Sequence, residues 1–221
     1  MAISENESEL PSKGRVLVLD IDETLAHSYV NMQMYNEIIQ DPKKYNLVRD
    51  QIYHSIIYCE SGEKIICFEF WGFFRPYLRE MLQKASRHFE AIVIFTAGNR
   101  AYANQMTKLL FKGLPLPYAV FASEDLTRTP KGFHKSLTSL IPRLAPLKTD
   151  LSKMILVDDR IDNFEEEPAN GVLIPPFDVS GPDDPRLRED NALLRLSEWF
   201  SSLEFASATD LRKIERPNWT L

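Results

Sequence analysis

Cysteine is scarce in this chain, which limits its covalent and metal chemistry. Only two cysteines, Cys59 and Cys67, occur among the 221 residues. Two cysteines cannot build a disulfide framework, and neither stands in a CxxC pair or in the His/Cys spacing of a zinc site. We therefore expect both thiols to be reduced and structural zinc to be absent.

Long apolar runs and an excess of positive charge are also lacking. The longest apolar stretches, around Ala91–Phe95 and Ile65–Phe74, fall well short of the roughly 20 residues that span a bilayer. Met1–Lys13 is polar and acidic, without the apolar core of a signal peptide. The net charge of −6 provides no general attraction to nucleic acid or anionic membranes. We expect a soluble, intracellular protein of the cytoplasm or nucleus, with a flexible tail over residues 1–13.

Short apolar segments alternate with amphipathic ones from residue 14 to 221, which predicts one α/β domain. Valine- and leucine-rich runs of this length are typical of buried parallel strands, and the segments with apolar residues at i, i+4 predict helices on both faces of the sheet. The predicted strands are Val16–Asp20, Ala91–Thr96, Tyr118–Ala122, Met154–Val157 and Gly171–Ile174. The predicted helices open at Phe74–Pro76, at Gly98 (through Phe111), near Lys135 (through Leu140) and at Arg186 (through Leu203).

A segment of about residues 29–74 is inserted between the first two strands of this pattern. Met32–Lys44 favours a helix broken at Asp41-Pro42. Ile52–Tyr58 and Lys64–Phe70 are rich in β-forming residues and predict a hairpin. The insertion is large enough for a hairpin and a helix but not for a full lid domain.

Polar side chains follow three of the predicted strands. Asp20 and Asp22 come after the first strand, Thr96 ends the second, and Asp158-Asp159 follows Met154–Val157. Each pattern alone could be a turn, a helix cap or a strand end. Because the carboxyl ends of parallel strands share one edge of a sheet, however, these groups should converge where open α/β sheets bind ligands. Such a carboxylate cluster suits Mg²⁺ and an anionic substrate, with a lysine expected nearby.

Five short motifs resemble the haloacid dehalogenase superfamily and, within it, the FCP/SCP-like (NLI-interacting-factor-like) phosphatases that act on the C-terminal domain of RNA polymerase II and related proteins. The resemblance implies a three-layer α/β fold with a parallel sheet and a small, hairpin-containing insertion. The motifs are Leu19–His27, with its Asp-x-Asp-x-Thr signature, Phe74–Leu78, Phe95–Gly98, Phe133–Leu137 and Val157–Arg160.

The same resemblance implies catalytic roles. Asp20 would attack phosphorus to form an aspartyl-phosphate, and Asp22 would protonate the leaving oxygen and then activate water. Thr96 would donate to the phosphoryl oxygens, and Lys135 would balance the charge of the phosphate. A cysteine nucleophile is disfavoured, because neither cysteine has an arginine six residues later, as the cysteine-dependent tyrosine phosphatases require.

The magnesium site implied by the resemblance uses only oxygen ligands. The side chain of Asp20, the backbone carbonyl of Asp22, and Asp158 or Asp159 would hold Mg²⁺. Many relatives have Asp-Asn where this chain has Asp158-Asp159.

An open cleft beside a small insertion would admit a phosphorylated side chain of a protein or peptide, and no nucleic acid is expected as a partner. Two alternatives stay open: a phosphatase of small metabolites, and a catalytically silent binding protein with this fold. Arg100 and Arg128 are candidates for reading anionic groups beside the phosphate. Glu165–Glu167 is most simply a solvated charge run, and His134 a structural or surface group.

Overall fold

A computed structural model describes residues 12–41, 44–45, 51–61, 64–130 and 132–219. Residues 1–11 of the predicted tail, and positions 62–63 in the predicted hairpin turn, lie outside this range. The strands are β1 (Ser12–Leu19), β2 (Ala26–Tyr29), β3 (Ile52–Ser61), β4 (Lys64–Phe74), β5 (Phe89–Phe95), β6 (Ala119–Phe121), β7 (Thr127–Thr129), β8 (Gly132–His134), β9 (Met154–Asp158) and β10 (Gly171–Leu173). The helices are α1 (Met32–Gln40), α2 (Leu78–His88), α3 (Arg100–Leu110), α4 (Leu137–Leu140), α5 (Arg186–Glu189), α6 (Ala192–Phe200) and α7 (Leu203–Ser207).

The central sheet is parallel and has the strand order β10-β9-β1-β5-β6. The three strands that carry the predicted site, β9, β1 and β5, are neighbours, with Val18 of β1 opposite Leu156 and Val93. Successive side chains of a strand point to opposite faces, so β1 contributes Leu17 and Leu19 to one core and Val16 and Val18 to the other.

Helices cover both faces of this sheet, as the sequence predicts for an α/β fold. The core that contains Leu17 and Leu19 is closed by α2, α3 and α6, and the opposite core is closed by α4 and the turns after it. The helix residues concerned are Met81, Leu82 and Ala85 of α2, Met106 and Leu110 of α3, Leu193, Leu196 and Phe200 of α6, and Leu137 and Leu140 of α4. Within the described part of the chain, no helix combines the length and hydropathy needed to cross a membrane.

The insertion forms a separate antiparallel sheet of order β2-β4-β3, with α1 beside it. The predicted hairpin is confirmed and extends further than predicted, to Phe74 on β4. A third apolar cluster anchors the insertion, in which the ring of Tyr29 stacks on Trp71 at 4.6 Å. In the backbone register of the hairpin, Cys67 pairs with Tyr58 and Cys59 pairs with Ile66.

The predicted continuous helix over Arg186–Leu203 is wrong, because the chain leaves the helical conformation at Asp190. The Asp190 carboxylate accepts two hydrogen bonds from the buried guanidinium of Arg75, at 2.9 and 2.8 Å, and one from the backbone of Ala192 at 3.1 Å. This ion pair holds Asp190 in an extended conformation and separates α5 from α6, and α6 itself ends at Phe200.

The start of α2, which the sequence predicts at Phe74–Pro76, is also predicted too early. Phe74 still belongs to β4, and the backbone N–H of Arg75 donates to the carbonyl of Leu25 at 2.9 Å. Tyr77 then takes a left-handed conformation, and α2 begins at Leu78.

Candidate active site

The carboxyl ends of β1, β5 and β9 bring the predicted polar residues together. Asp20 follows β1, Thr96 follows β5, and Asp158 is the last residue of β9. All three are almost completely shielded from solvent, with at most 6% of the residue exposed. The three strands are neighbours in the sheet, so these buried polar residues lie at one edge of it.

The loop after β1 is held by its own backbone. The carbonyl of Ile21 accepts hydrogen bonds from Leu25 at 2.8 Å and Ala26 at 3.1 Å, and Glu23 takes a left-handed conformation with φ of 58°. The guanidinium of Arg75 donates to the carbonyl of Thr24 at 3.2 Å. Thus the same arginine that breaks the C-terminal helix also braces the loop between Asp20 and β2.

Lys135 reaches the site from the segment after β8, and only 1% of it is exposed. Its ammonium group donates to Asp20 Oδ1 and, at 2.6 Å, to Asp158 Oδ2. The other oxygen of Asp158 accepts from the backbone of Arg160 and the side chain of Asn163, both at 2.9 Å. The position predicted for the lysine therefore lies between two of the predicted aspartates.

A third carboxylate completes a candidate cation site. Oxygens of Asp20, Asp158 and Asp159 all lie within 4.8 Å of one another. Asp22 stands close enough to interact electrostatically with Asp20, so four carboxylates of the described residues lie around the ammonium group of Lys135. An all-carboxylate set of this kind fits a hard divalent cation such as Mg²⁺.

Burial disfavours the charged forms of the acids in this site. Burial raises the pKa of Asp20 to about 8, with Asp158 and Asp22 adding to the shift and Lys135 opposing it. Burial also raises the pKa values of Asp22 and Asp159. Burial by itself would lower the pKa of Lys135, but the carboxylates of Asp20 and Asp158 outweigh it and raise the value. The lysine therefore stays charged, and the remaining negative charge favours a bound cation.

Asp22 has a different environment from the other three acids. Its Oδ2 accepts a long hydrogen bond from Thr96 at 3.4 Å, and its Oδ1 accepts one from the hydroxyl of Tyr102. The Thr96 hydroxyl in turn accepts from the backbone of Gly98 at 3.0 Å. Asp22 is thus held by hydroxyl groups, whereas Asp20 and Asp158 are held by an ammonium group.

The sequence interpretation missed Tyr102. It lies in the first turn of α3, where Asn99 caps the helix by accepting from the Tyr102 backbone at 2.9 Å. A helix that follows β5 begins at the same edge of the sheet as Thr96. A polar side chain in that first turn was therefore the available signal.

Other sequence candidates lie elsewhere or have other partners. Arg100 pairs with Glu124 and Asp125, which leaves it committed to a structural ion pair. Arg128 lies exposed on β7. The interpretation of Glu165–Glu167 as a solvated run is wrong for its last residue, because buried Glu167 accepts from the backbone at the start of α4.

His134 fits the structural half of its prediction. Only 3% of the residue is exposed, and its Nε2 lies 3.0 Å from Glu166 Oε1. It precedes Lys135 directly and so helps to fix the segment that carries the lysine.

Comparisons with known proteins agree with this geometry. The family model described as "NLI interacting factor-like phosphatase" matches residues 15–212. CTD nuclear envelope phosphatase 1 homolog from Caenorhabditis elegans is 26% identical over 93% of this chain and 72% of its own length. CTD small phosphatase-like protein 3 from the same organism is 27% identical over 96% of this chain and 63% of its own length.

The fold is similar to that of a solved phosphatase. A structure of Fcp1, described as an essential RNA polymerase II CTD phosphatase, has a TM-score of 0.60 and 26% identity over 84% of this chain. The match covers 49% of that protein, so this chain corresponds to about half of Fcp1.

Proposed function

The chain belongs to the NLI interacting factor-like phosphatase family, and on that premise we propose that it is a magnesium-dependent phosphoprotein phosphatase. It would hydrolyse phosphomonoesters on serine, threonine or tyrosine side chains through an aspartyl-phosphate. One observation carries the proposal: the carboxylates of Asp20, Asp158 and Asp159 lie within 4.8 Å of one another around a buried lysine. Such a cluster suits the charge of a phosphoryl group only with a cation present.

In the first step, a carboxylate oxygen of Asp20 attacks phosphorus while the bond from phosphorus to the leaving oxygen breaks. Asp22 donates its proton to that oxygen. Thr96 donates to a phosphoryl oxygen, and Lys135 balances the charge on the phosphate. The products of this step are the free hydroxyl amino acid and the aspartyl-phosphate on Asp20.

In the second step, Asp22 takes a proton from water, and the resulting hydroxide attacks phosphorus. The bond between phosphorus and the Asp20 oxygen breaks, so inorganic phosphate leaves and the Asp20 carboxylate is restored. Asp22 ends the cycle protonated, as it began. Its burial, which raises its pKa, suits a group that must carry a proton near neutral pH.

Mg²⁺ would be held by the carboxylates of Asp20 and of Asp158 or Asp159, with the backbone carbonyl of Asp22 as a further ligand. Asp159 is the better candidate of the acidic pair, because both oxygens of Asp158 already accept hydrogen bonds. When bound, the ion supplies positive charge that stabilises the phosphoryl oxygens in the transition state.

A protein substrate is supported by the surface around the site. A cavity of about 620 Å³ is lined by Phe133 and His134, which precede Lys135, and by Arg160 and Ile161. Phe133 and Ile161 are 64% and 68% exposed. An apolar surface beside a phosphate site fits a polypeptide better than a small sugar. The relatives' names, which describe CTD phosphatases, point the same way.

The experiment is a phosphatase assay of the purified chain with p-nitrophenyl phosphate, with and without Mg²⁺, followed by phosphoserine, phosphothreonine and phosphotyrosine peptides beside sugar and nucleotide phosphates. We expect Mg²⁺-dependent turnover and a preference for peptides. Asp20→Asn should abolish turnover, whereas Asp183→Asn, at an exposed aspartate, should not.

Each other outcome has a defined meaning. A preference for sugar or nucleotide phosphates would favour a metabolite phosphatase, and no hydrolysis of any substrate would favour a silent binding protein. Substantial metal-dependent turnover by Asp20→Asn would refute the aspartyl-phosphate mechanism.

A further inference from the structure

A line of three hydroxyl groups connects the insertion with Asp22. The hydroxyl of Tyr102 donates to Asp22 Oδ1. Ser28 Oγ lies 2.8 Å from the Tyr102 hydroxyl and 2.7 Å from the hydroxyl of Tyr53. The Tyr53 hydroxyl also lies 3.0 Å from the backbone carbonyl of His27. The proposed acid–base residue is therefore the first member of a chain that ends inside the insertion.

The antiparallel sheet β2-β4-β3 supplies two of the three hydroxyls, since Ser28 belongs to β2 and Tyr53 to β3. Tyr53 is only 4% exposed, and its ring centroid lies 4.6 Å from that of Phe74. At Gly72 of β4, a Cβ atom would lie only 2.4 Å from the Tyr53 hydroxyl. The tyrosine can cross the strand at this point because glycine has no side chain. Packing thus places the Tyr53 hydroxyl where it reaches Ser28.

Each hydroxyl in this chain has one proton, which limits the direction of every hydrogen bond. An ionised carboxylate only accepts hydrogen bonds, so Tyr102 must donate its single hydroxyl proton to Asp22. Ser28 must then donate to Tyr102, and Tyr53 to Ser28, if each contact is to contain a proton. When Asp22 carries the proton that it transfers in the first step, all three hydroxyls can turn around. Tyr53 then donates to the carbonyl of His27. The three contacts from Asp22 to Tyr53 therefore each contain a proton with Asp22 in either form, and the contact of Tyr53 with the His27 carbonyl contains one when Asp22 is protonated.

We propose that Ser28 and Tyr53 are positioning residues, which hold the hydroxyl of Tyr102 and, through it, the carboxyl group of Asp22. The insertion then orients the group that protonates the leaving oxygen, in addition to any contact that it makes with a substrate. This inference rests on the proposed function, because it assigns a purpose to the proton transfer by Asp22.

Leaving-group dependence separates this role from a general structural one. Serine is a poor leaving group and needs its oxygen protonated as the bond to phosphorus breaks, whereas p-nitrophenol is acidic and leaves readily as an anion. The constant kcat/KM covers the steps up to formation of the aspartyl-phosphate. A misplaced Asp22 should therefore lower kcat/KM for a phosphoserine peptide much more than for p-nitrophenyl phosphate.

The experiment compares Tyr53→Phe and Ser28→Ala with wild type on these two substrates at saturating Mg²⁺. Loss of one hydrogen bond in the chain should lower kcat/KM for the peptide by about 3- to 10-fold. The value for p-nitrophenyl phosphate should stay within about twofold of wild type, as expected where acid catalysis contributes little. Tyr29→Phe is the matched control, because this tyrosine lies in the same sheet but donates to the backbone of Val179.

Thermal melting of each variant checks the fold, and Ser28→Ala carries the test if Tyr53→Phe does not fold. Equal losses on both substrates, or losses no larger than those of Tyr29→Phe, would overturn the positioning role while leaving the phosphatase intact. If wild type hydrolyses neither substrate, the proposed function itself is wrong, and the inference fails with it. The two failures are thereby distinguishable.

Discussion

Replacing Lys135 with methionine tests the electrostatic core of the site. The substitution keeps an unbranched side chain of similar length and removes the only cation described between Asp20 and Asp158. Both carboxylates are nearly inaccessible to water, so little solvent can replace the lost ammonium group. We expect Lys135→Met to destabilise the metal-free protein and to impair turnover.

The magnitude follows from the burial of the pair. Removing one partner of a buried ion pair leaves an uncompensated charge and costs about 3–5 kcal/mol of unfolding free energy. That is a large part of the roughly 5–15 kcal/mol by which domains are stable. A cation that binds only the folded state adds about 3 kcal/mol of stability at a hundred times its dissociation constant. Mg²⁺ should therefore recover much of the loss.

Urea unfolding in EDTA and in saturating Mg²⁺ measures both effects. Lys108→Met is the control, since Lys108 is exposed on α3. Asp20→Asn should stabilise the Lys135→Met background, because it removes one of two facing buried charges. The same change should stabilise the wild-type background less, because Lys135 there offsets part of the buried charge of Asp20. This difference in the effect of Asp20→Asn between the two backgrounds is specific to electrostatic coupling between the two residues.

A stabilising role of the Lys135 ammonium group is refuted if Lys135→Met costs no more unfolding free energy in EDTA than Lys108→Met. It is also refuted if Asp20→Asn changes the unfolding free energy equally in both backgrounds.

Three further predictions concern stability. Because the pKa of Asp20 is raised from 3.8 to about 8, the folded metal-free protein keeps a proton that the unfolded chain releases. Thermal melts in EDTA should therefore show stability falling as the pH rises from about 4 to about 8, and Mg²⁺ should flatten this slope. Arg75→Met should cost about 3–5 kcal/mol in urea unfolding by leaving Asp190 unpaired, and Arg75→Lys should recover only part of that, since lysine cannot make the two-pronged contact. Glu167→Ala should cost about 1–2 kcal/mol and speed amide exchange in α4, as the loss of a helix cap does; unchanged exchange would contradict this role.

The sequence by itself determined the central sheet and the candidate site at its edge. Apolar runs such as Met154–Val157 are local signals of buried strands, and the polar residues after them mark the carboxyl ends. Since parallel strands align those ends, Asp20, Thr96 and Asp158 had to meet once the sheet formed. The motif around Lys135 resembles one of the family's motifs, and this resemblance predicted that Lys135 belongs to the site.

Only the tertiary structure decided the partners of these groups. The hydroxyl chain from Asp22 through Tyr102 and Ser28 to Tyr53 joins segments that are far apart in the sequence. No local sequence pattern in one of these segments predicts a contact with another. The break of the C-terminal helix depends on Arg75, which lies 115 residues before its partner Asp190. Strand and helix patterns repeat over a few residues and can be read locally. A buried donor, by contrast, takes whichever acceptor the packed chain brings within about 3 Å, and that is settled only when distant segments come together.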